Sequence, residues 1–299
     1  MINKEKSFVS VVFYVRNFEL YIEKFISSVM KVIGENFEHY EFICVNNDST
    51  DKTIDILKKV HNEKFSDVSL NIISLSYCKS IEEAMASGLD LAIGDFVYEF
   101  ESIILDYETN LIIEAYKKSL EGNDVVFVSP NKKATIIQKI YYNIYNFGVK
   151  KDQKIYPERF KIFSRRAINR VGKMSKYFSN NTSVLNTCGL DNSTIFYNAS
   201  KKYIKYDKEE KRERISKGLE SLLIHTYSIQ YFLIVMSFIF FLATVMTLFL
   251  KNTTLFACFF ICFICVILTL LLVQYIHTLL NMTFKNKVHL IKNIEKVIK

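Results

Sequence analysis

Two stretches late in the chain, Tyr231–Leu250 (YFLIVMSFIFFLATVMTLFL) and Leu255–Leu280, contain no Asp, Glu, Lys or Arg. Each is long enough to cross a hydrocarbon core of about 30 Å as a helix, and uncharged runs of that length are expected to leave water. Only Lys251–Thr254 separates them, so the expected arrangement is a tight helical hairpin with both of its ends on one side of a membrane. Charge selects the side. Lys and Arg crowd Lys201–Lys217, and Lys285, Lys287, Lys292, Lys296 and Lys299 follow the second run, against Lys251 alone in the turn. The positive-inside rule then places the N-terminal part and the tail in the cytoplasm, as a multi-pass protein of the inner membrane. The expected organisation is a catalytic domain over 1–200, a basic interfacial segment over 201–228, spans over 229–250 and 254–280, and a basic tail over 281–299. The opening MINKEKSFVSVVFYV has no small-residue cleavage site and reads as a first strand, so a signal peptide is not expected.

Half of the 299 residues are hydrophobic and 23% are charged, which is too apolar for a purely soluble enzyme. The net charge of +8 is concentrated beside the two runs. No nucleic-acid motif accompanies it, so attraction to anionic lipid head groups accounts for it and no nucleic-acid partner is expected. Cys258, Cys262 and Cys265 share a stripe of the second run, where small polarizable residues serve packing. No disulfides are expected in a cytoplasmic chain.

Ahead of residue 110, strands and helices alternate. Phe8–Val15, Glu41–Val45, Val68–Ser74 and Asp95–Phe100 are short apolar runs that read as strands. Leu20–Ile33, Thr53–Val60 and Ile81–Ala92 carry helical spacing. Alternation of this kind implies a mostly parallel sheet with helices on both faces. The run EFICVNNDSTDKT at Glu41–Thr53 takes a buried strand straight into Asn, Asp, Ser and Thr. Polar groups at that place suit a nucleotide, because ligands of open α/β sheets bind outside the carboxyl ends of the strands. There is no GxGxxG, no GxxxxGK[ST], and only eight glycines in all, so a glycine-rich phosphate cradle is not expected. Carboxylates holding a metal ion are the alternative. Glu99 and Glu101 near the end of the fourth strand, with Asp106 and Glu108 beyond, are the candidates.

These motifs resemble those of the family 2 glycosyltransferases. SVVFYVRNFE at Ser10–Glu19 is similar to the family's SVVIPVYNEE, VNNDSTDKT at Val45–Thr53 to its VDDGSxDxT, and ASGLDLAIGDFVYEFES at Ala86–Ser102 to its AGLDxAxGDxVxxxDAD. The resemblance implies a GT-A nucleotide-sugar domain and transfer of a sugar from a nucleotide-diphosphate donor. It implies donor contacts at Val15, Asn17, Asn46, Asn47, Asp48 and Glu101. Catalytic roles would fall to Glu101 and Asp106, and a Mg²⁺ or Mn²⁺ ion to Glu101, with Glu99 and Asp106 as further ligands. DVVFVSPNKK at Asp124–Lys133, RFKIFSRRAINRV at Arg159–Val171 and the tail Gln274–Val297 are similar to the subgroup that glycosylates polyprenyl phosphates. That subgroup implies an inverting displacement by a lipid phosphate, with Lys161, Arg165 and Arg166 binding the phosphate. A homo-oligomer stays open.

The chain departs from the pattern in several places. The aspartates of the family's DxD fall on Glu101 and Ile103, those of VDDGS on Asn46 and Asn47, and the arginine of GSR on Pro130, with Lys132 and Lys133 nearby. Tyr77–Ser80 replaces the family's RNxG. Two alternatives therefore stand beside the polyprenyl-phosphate reading: a relative that keeps the fold for a binding or structural role, and a transferase for another membrane-associated saccharide.

Overall fold

The computed structural model describes residues 4–76, 78, 81–131, 136–147, 154–174, 189–200 and 291–297, with isolated positions between 268 and 279. Residues 201–250, covering the interfacial segment and the first apolar run, lie outside them, as does nearly all of the second run. Among the described residues no helix is long and apolar enough to cross a membrane.

The chain alternates β1 (Val9–Val15), α1 (Ile22–Asn36), β2 (Tyr40–Asn47), α2 (Thr53–Lys64), β3 (Ser69–Leu75), α3 (Ile81–Leu91), β4 (Phe96–Phe100) and α4 (Asn110–Leu120). Then follow β5 (Val125–Pro130), α5 (Ile136–Phe147), β6 (Phe160–Ser164), α6 (Arg165–Met174), β7 (Asn192–Tyr197) and β8 (Ile291–Val297). The strands form one eight-stranded sheet in the order β7-β5-β6-β4-β1-β2-β3-β8. Four of its seven pairings are parallel, and β6 and β8 run against their neighbours. The first seven expected elements are all present, with ends shifted by at most four residues. The largest shifts are at the C-terminal ends of α1 and α2, which run on through polar residues, and β2 likewise extends through Asn46 and Asn47, which periodicity alone assigns to a loop.

All seven residues of β1 are buried, as expected of a strand covered on both faces. Its side chains divide by the two-residue pleat. Val9, Val11, Phe13 and Val15 join the cluster that contains Ile22, Phe25, Ile26, Val29 and Ile33 of α1, whereas Val12 and Tyr14 join Ala84 and Met85 of α3. The i, i+3, i+4, i+7 spacing of those α1 residues makes one apolar stripe, so the sheet and the helix fix each other.

Two compact units are present. One comprises Met1–Lys133, Tyr156–Asp207 and Asn286–Lys299; the other comprises Ala134–Ile155 and Lys208–Lys285. The tail expected as a separate segment thus contributes β8 to the first unit, where it pairs antiparallel with β3.

Candidate functional site at the strand exits

Parallel pairing brings the carboxyl ends of β1, β2 and β4 to one edge, in the register Val15↔Asn46 and Phe13↔Phe100. With strands about 4.8 Å apart, the exits of β2 and β4, separated by β1, lie about 10 Å from each other. The β1 and β2 exits are tied together by side chains. Asn17, at φ 57°, accepts the Thr50 amide through Oδ1 (2.8 Å) and donates its own amide to Ser49 Oγ (3.2 Å). Asp51 accepts the amides of Glu19 (3.0 Å) and Thr53 (3.0 Å) and the Thr53 hydroxyl (2.5 Å). Burial pushes the Asp51 carboxyl up, but these hydrogen bonds outweigh it and hold it below the usual carboxylate range.

The two asparagines read as donor ligands are mostly spent on the loops. Asn46 accepts the Ser49 amide (3.1 Å) and donates to Ser74 Oγ (3.4 Å). Asn47 is 1% exposed. It donates to the Cys78 carbonyl (2.7 Å) and to Tyr14 Oη (3.0 Å), and accepts the Cys78 amide (2.6 Å). One primary amide thus meets both backbone groups of Cys78, which a carboxylate cannot do because it has no N–H to give. Asn47→Asp is therefore expected to destabilise the first unit by about 2 kcal/mol, read as a lower denaturant midpoint at unchanged slope. A midpoint equal to the parent's would show that the amide does not hold the loop. Asp48, at φ 56°, is exposed at the tip of this exit, a left-handed conformation that Asp tolerates better than most residues. Val15 is fully buried and offers the exit only its backbone.

At the β4 exit the acids divide. Glu101 stands at the rim, its side chain 34% exposed. Glu99 is 1% exposed and faces Lys161 across the β4–β6 ladder. Lys161 is itself 1% exposed, and its Nζ lies 3.2 Å from Glu101, 3.3 Å from Glu158 and 3.3 Å from Glu99. The ammonium donates aligned hydrogen bonds to Glu101 and Glu158. Among the described residues neither Glu99 oxygen has an aligned donor, so Glu99 is held beside the ammonium by charge rather than by a directed bond. Burial, opposed by Lys161 and aided by Glu101, pushes the Glu99 carboxyl up to about 7. Burial works against the Lys161 ammonium, but the three carboxylates outweigh it and hold its pKa above the usual lysine range.

Several expectations for this exit are corrected. Asp106 is 1% exposed and is gripped by Arg159, whose Nε and Nη2 donate to its two oxygens at 2.9 and 2.5 Å, and by Tyr197 Oη at 2.8 Å. It is a structural knot rather than a reacting group or metal ligand. Ile103, at the second DxD position, is 1% exposed and belongs to the main core. Lys161 does share the exit with Glu101, but Arg165 and Arg166 do not. β6 runs antiparallel to β4, so Ser164 pairs with Phe96 at the amino end, and four residues of strand carry Arg165 about 13 Å from Lys161. There Arg165 Nε donates to the Gly94 carbonyl (2.9 Å), and Arg166 Nε donates to Asp124 (2.8 Å). Hydrogen bonding from Arg166 holds the Asp124 carboxyl below its usual range. The three basic residues therefore do not form one phosphate site. Tyr77, Lys79, Ser80, Lys132 and Lys133 lie outside the described residues.

The divalent ion implied by the resemblance needs several oxygen ligands about 2.0–2.6 Å away. Among the described residues no group of three or more His, Cys, Asp or Glu is arranged to hold a metal ion. With Asp106 engaged by Arg159, Ile103 in the core, Glu99, Glu101 and Glu158 closed on an ammonium and Glu108 exposed outside that cluster, the described residues of this exit do not fit one.

Sequence reading missed Arg159, Glu158 and Tyr197 as partners of this exit. The one local signal was a lysine inside the apolar strand FKIF, since a buried lysine requires paired acids.

An open, mostly parallel sheet with polar exits on β1 and β2 and a carboxylate at the β4 exit is the architecture of a GT-A-like α/β domain. Residues 9–102 match the family model described as "Glycosyl transferase family 2", and with the structural neighbours this supports a GT-A domain of that kind. The chain is 27% identical over 174 residues to an uncharacterized glycosyltransferase of Synechocystis, covering 56% of this chain and 53% of that one. It is 26% identical over 185 residues to the putative glycosyltransferase CsbB of Bacillus subtilis, covering 60% and 55%. It thus spans about half the length of these curated relatives. A mannosyltransferase of Pyrobaculum calidifontis, solved with GDP-Man and Mn²⁺, superposes with a TM-score of 0.54 at 16% identity, over 73% of this chain and 64% of that one. That likeness establishes the fold.

Proposed function

We propose that this chain is a membrane-held glycosyltransferase that moves a sugar from a nucleotide-diphosphate donor to a polyprenyl phosphate. The observation that carries the donor half is the gathering of Asp48 and Glu101 on one edge of a GT-A sheet, on exits locked by Asn17, Asn46, Asn47 and Asp51. Rigid exits suit a donor that must be held still while its anomeric carbon is attacked.

The two uncharged runs support the lipid half, and β8 adds to them. The chain leaves the first unit after Asp207 and rejoins it from Asn286, and β8 pairs with β3 in the same sheet. Any membrane crossing between those points must therefore occur an even number of times, which suits a two-span hairpin and a catalytic domain on the same side as the tail. The lysine-rich flanks favour the cytoplasmic side.

In the reaction, a lone pair on the acceptor phosphate oxygen forms the new bond to the anomeric carbon on the face opposite the donor diphosphate. The old carbon–oxygen bond breaks, its electrons leave with the nucleoside diphosphate, and the configuration inverts. A phosphate monoester is largely ionised near neutral pH, with a second pKa of about 6, so no strong general base is needed. The main task of the protein is to align two anions that repel each other.

The test is titration of the detergent-solubilised full chain with UDP- and GDP-sugars, followed by transfer of labelled sugar to an organic-soluble lipid. Saturable binding and lipid label are expected. Absence of binding to every nucleotide sugar removes the enzymatic reading, and label in a water-soluble product moves the acceptor away from lipid.

A further inference from the structure

We propose that the ammonium of Lys161 is the resident cation of the β4 exit, in place of the divalent ion that the resemblance implies, so that a nucleoside diphosphate binds this chain without metal. The inference rests on the donor-site reading above and specifies the charge partner at that site.

Three independent features place the ammonium there. The ladder fixes it: β6 lies between β4 and β5, and Lys161 is the register partner of Glu99, two residues before Glu101. Burial fixes its pairing, because a lysine that is 1% exposed persists only where carboxylates surround it, and Glu99, Glu101 and Glu158 all lie within 3.3 Å of Nζ. Of the other positions expected to recruit a metal, Asp106 is bound through both oxygens to Arg159 and Ile103 is packed in the core, and Glu108, exposed beyond them, forms no metal-holding group with other described acids.

A dication drawn to these carboxylates would sit within a few ångströms of the ammonium and be repelled by it. The two cations therefore compete for the same oxygens. Glu99 lies on the inner side of Lys161, whereas Glu101 and Glu158 retain 34% and 16% side-chain exposure. Diphosphate oxygens are acceptors of the same kind as those outer carboxylates, and can take their place on the ammonium when a donor arrives.

The experiment has two arms on the detergent-solubilised full chain. In the first, UDP and GDP are titrated in EDTA and again in Mn²⁺, and Mn²⁺ alone is titrated by electron paramagnetic resonance. Affinities equal within about twofold in the two buffers are expected, with no stoichiometric Mn²⁺ bound below millimolar. In the second, Lys161→Met frees the carboxylates. Its nucleotide affinity in EDTA is expected to fall by about tenfold or more and to recover in Mn²⁺, with a Mn²⁺ signal that the parent lacks. A merely structural lysine would give no such metal rescue. Stoichiometric Mn²⁺ on the parent, or nucleotide binding lost in EDTA, overturns the inference while leaving the donor reading intact. Failure of both nucleotides in both buffers overturns the donor reading instead. Should Lys161→Met not fold, the parent's EDTA and Mn²⁺ titrations decide alone.

Discussion

Replacing Arg159 with Met is expected to destabilise the first compact unit by about 3–5 kcal/mol, the cost of leaving one member of a buried ion pair without the other. The stranded group is Asp106, whose side chain is fully buried and receives two of its hydrogen bonds from the Arg159 guanidinium. Tyr197 would remain as a donor to one oxygen. Asp106→Asn strands the Arg159 charge instead, but it keeps an acceptor oxygen for that guanidinium, which is 9% exposed against 0% for Asp106, and should cost less. Circular dichroism of the full chain in urea reads both. This pair also tests the structural role of Asp106: loss of transfer in Asp106→Asn with stability untouched would make it a reacting group. An Arg159→Met midpoint within about 1 kcal/mol of the parent would show that the knot is not held by charge.

Gly94→Ala is expected to cost about 3 kcal/mol, at the upper end of ordinary overpacking. A methyl group on Gly94 would lie 2.6 Å from the Ser10 amide nitrogen and 2.9 Å from the Phe8 carbonyl, both backbone atoms. Side chains can swing away, but central strands cannot. The Gly94 amide also donates to Ser10 Oγ (2.8 Å), and that hydroxyl donates to Glu41 Oε1 (2.6 Å), which accepts the Ile93 amide as well (3.0 Å). These contacts set the start of β4 beside β1 and so position Glu101 at the far end. Thermal melts of the variant should show the loss, and an unchanged melting temperature would mean that the close approach relaxes without cost.

The alternation of β1 to β4 with α1 to α3 was legible because each strand is a short apolar run and each helix shows a single stripe, signals that depend only on neighbours in sequence. The edge that carries the site was legible for the same reason, since parallel strands put their carboxyl ends together. What each polar residue does there was not. Asn47 looks like a ligand in sequence, yet its amide is matched to the backbone of Cys78, thirty-one positions on. Lys161, Arg165 and Arg166 are close in sequence, yet an extended strand delivers them to opposite ends of the sheet. The pairing of Asp106 with Arg159 and Tyr197 joins three segments far apart in sequence, and no periodicity reports it. Nor does composition mark β8 as a strand, since a lysine-rich tail reads as solvated until β3 is seen to need a neighbour.

That last strand gives the protein a timetable. β3 ends at residue 75, and its outer neighbour begins at residue 291, so at about 5–20 residues per second the ribosome leaves β3 with an open edge for roughly ten to forty seconds. Both apolar runs emerge during that interval. The sheet therefore closes only after those runs have been synthesised, and a nascent chain that fails to bring β8 back keeps an unpaired strand on display, the kind of edge that invites aggregation.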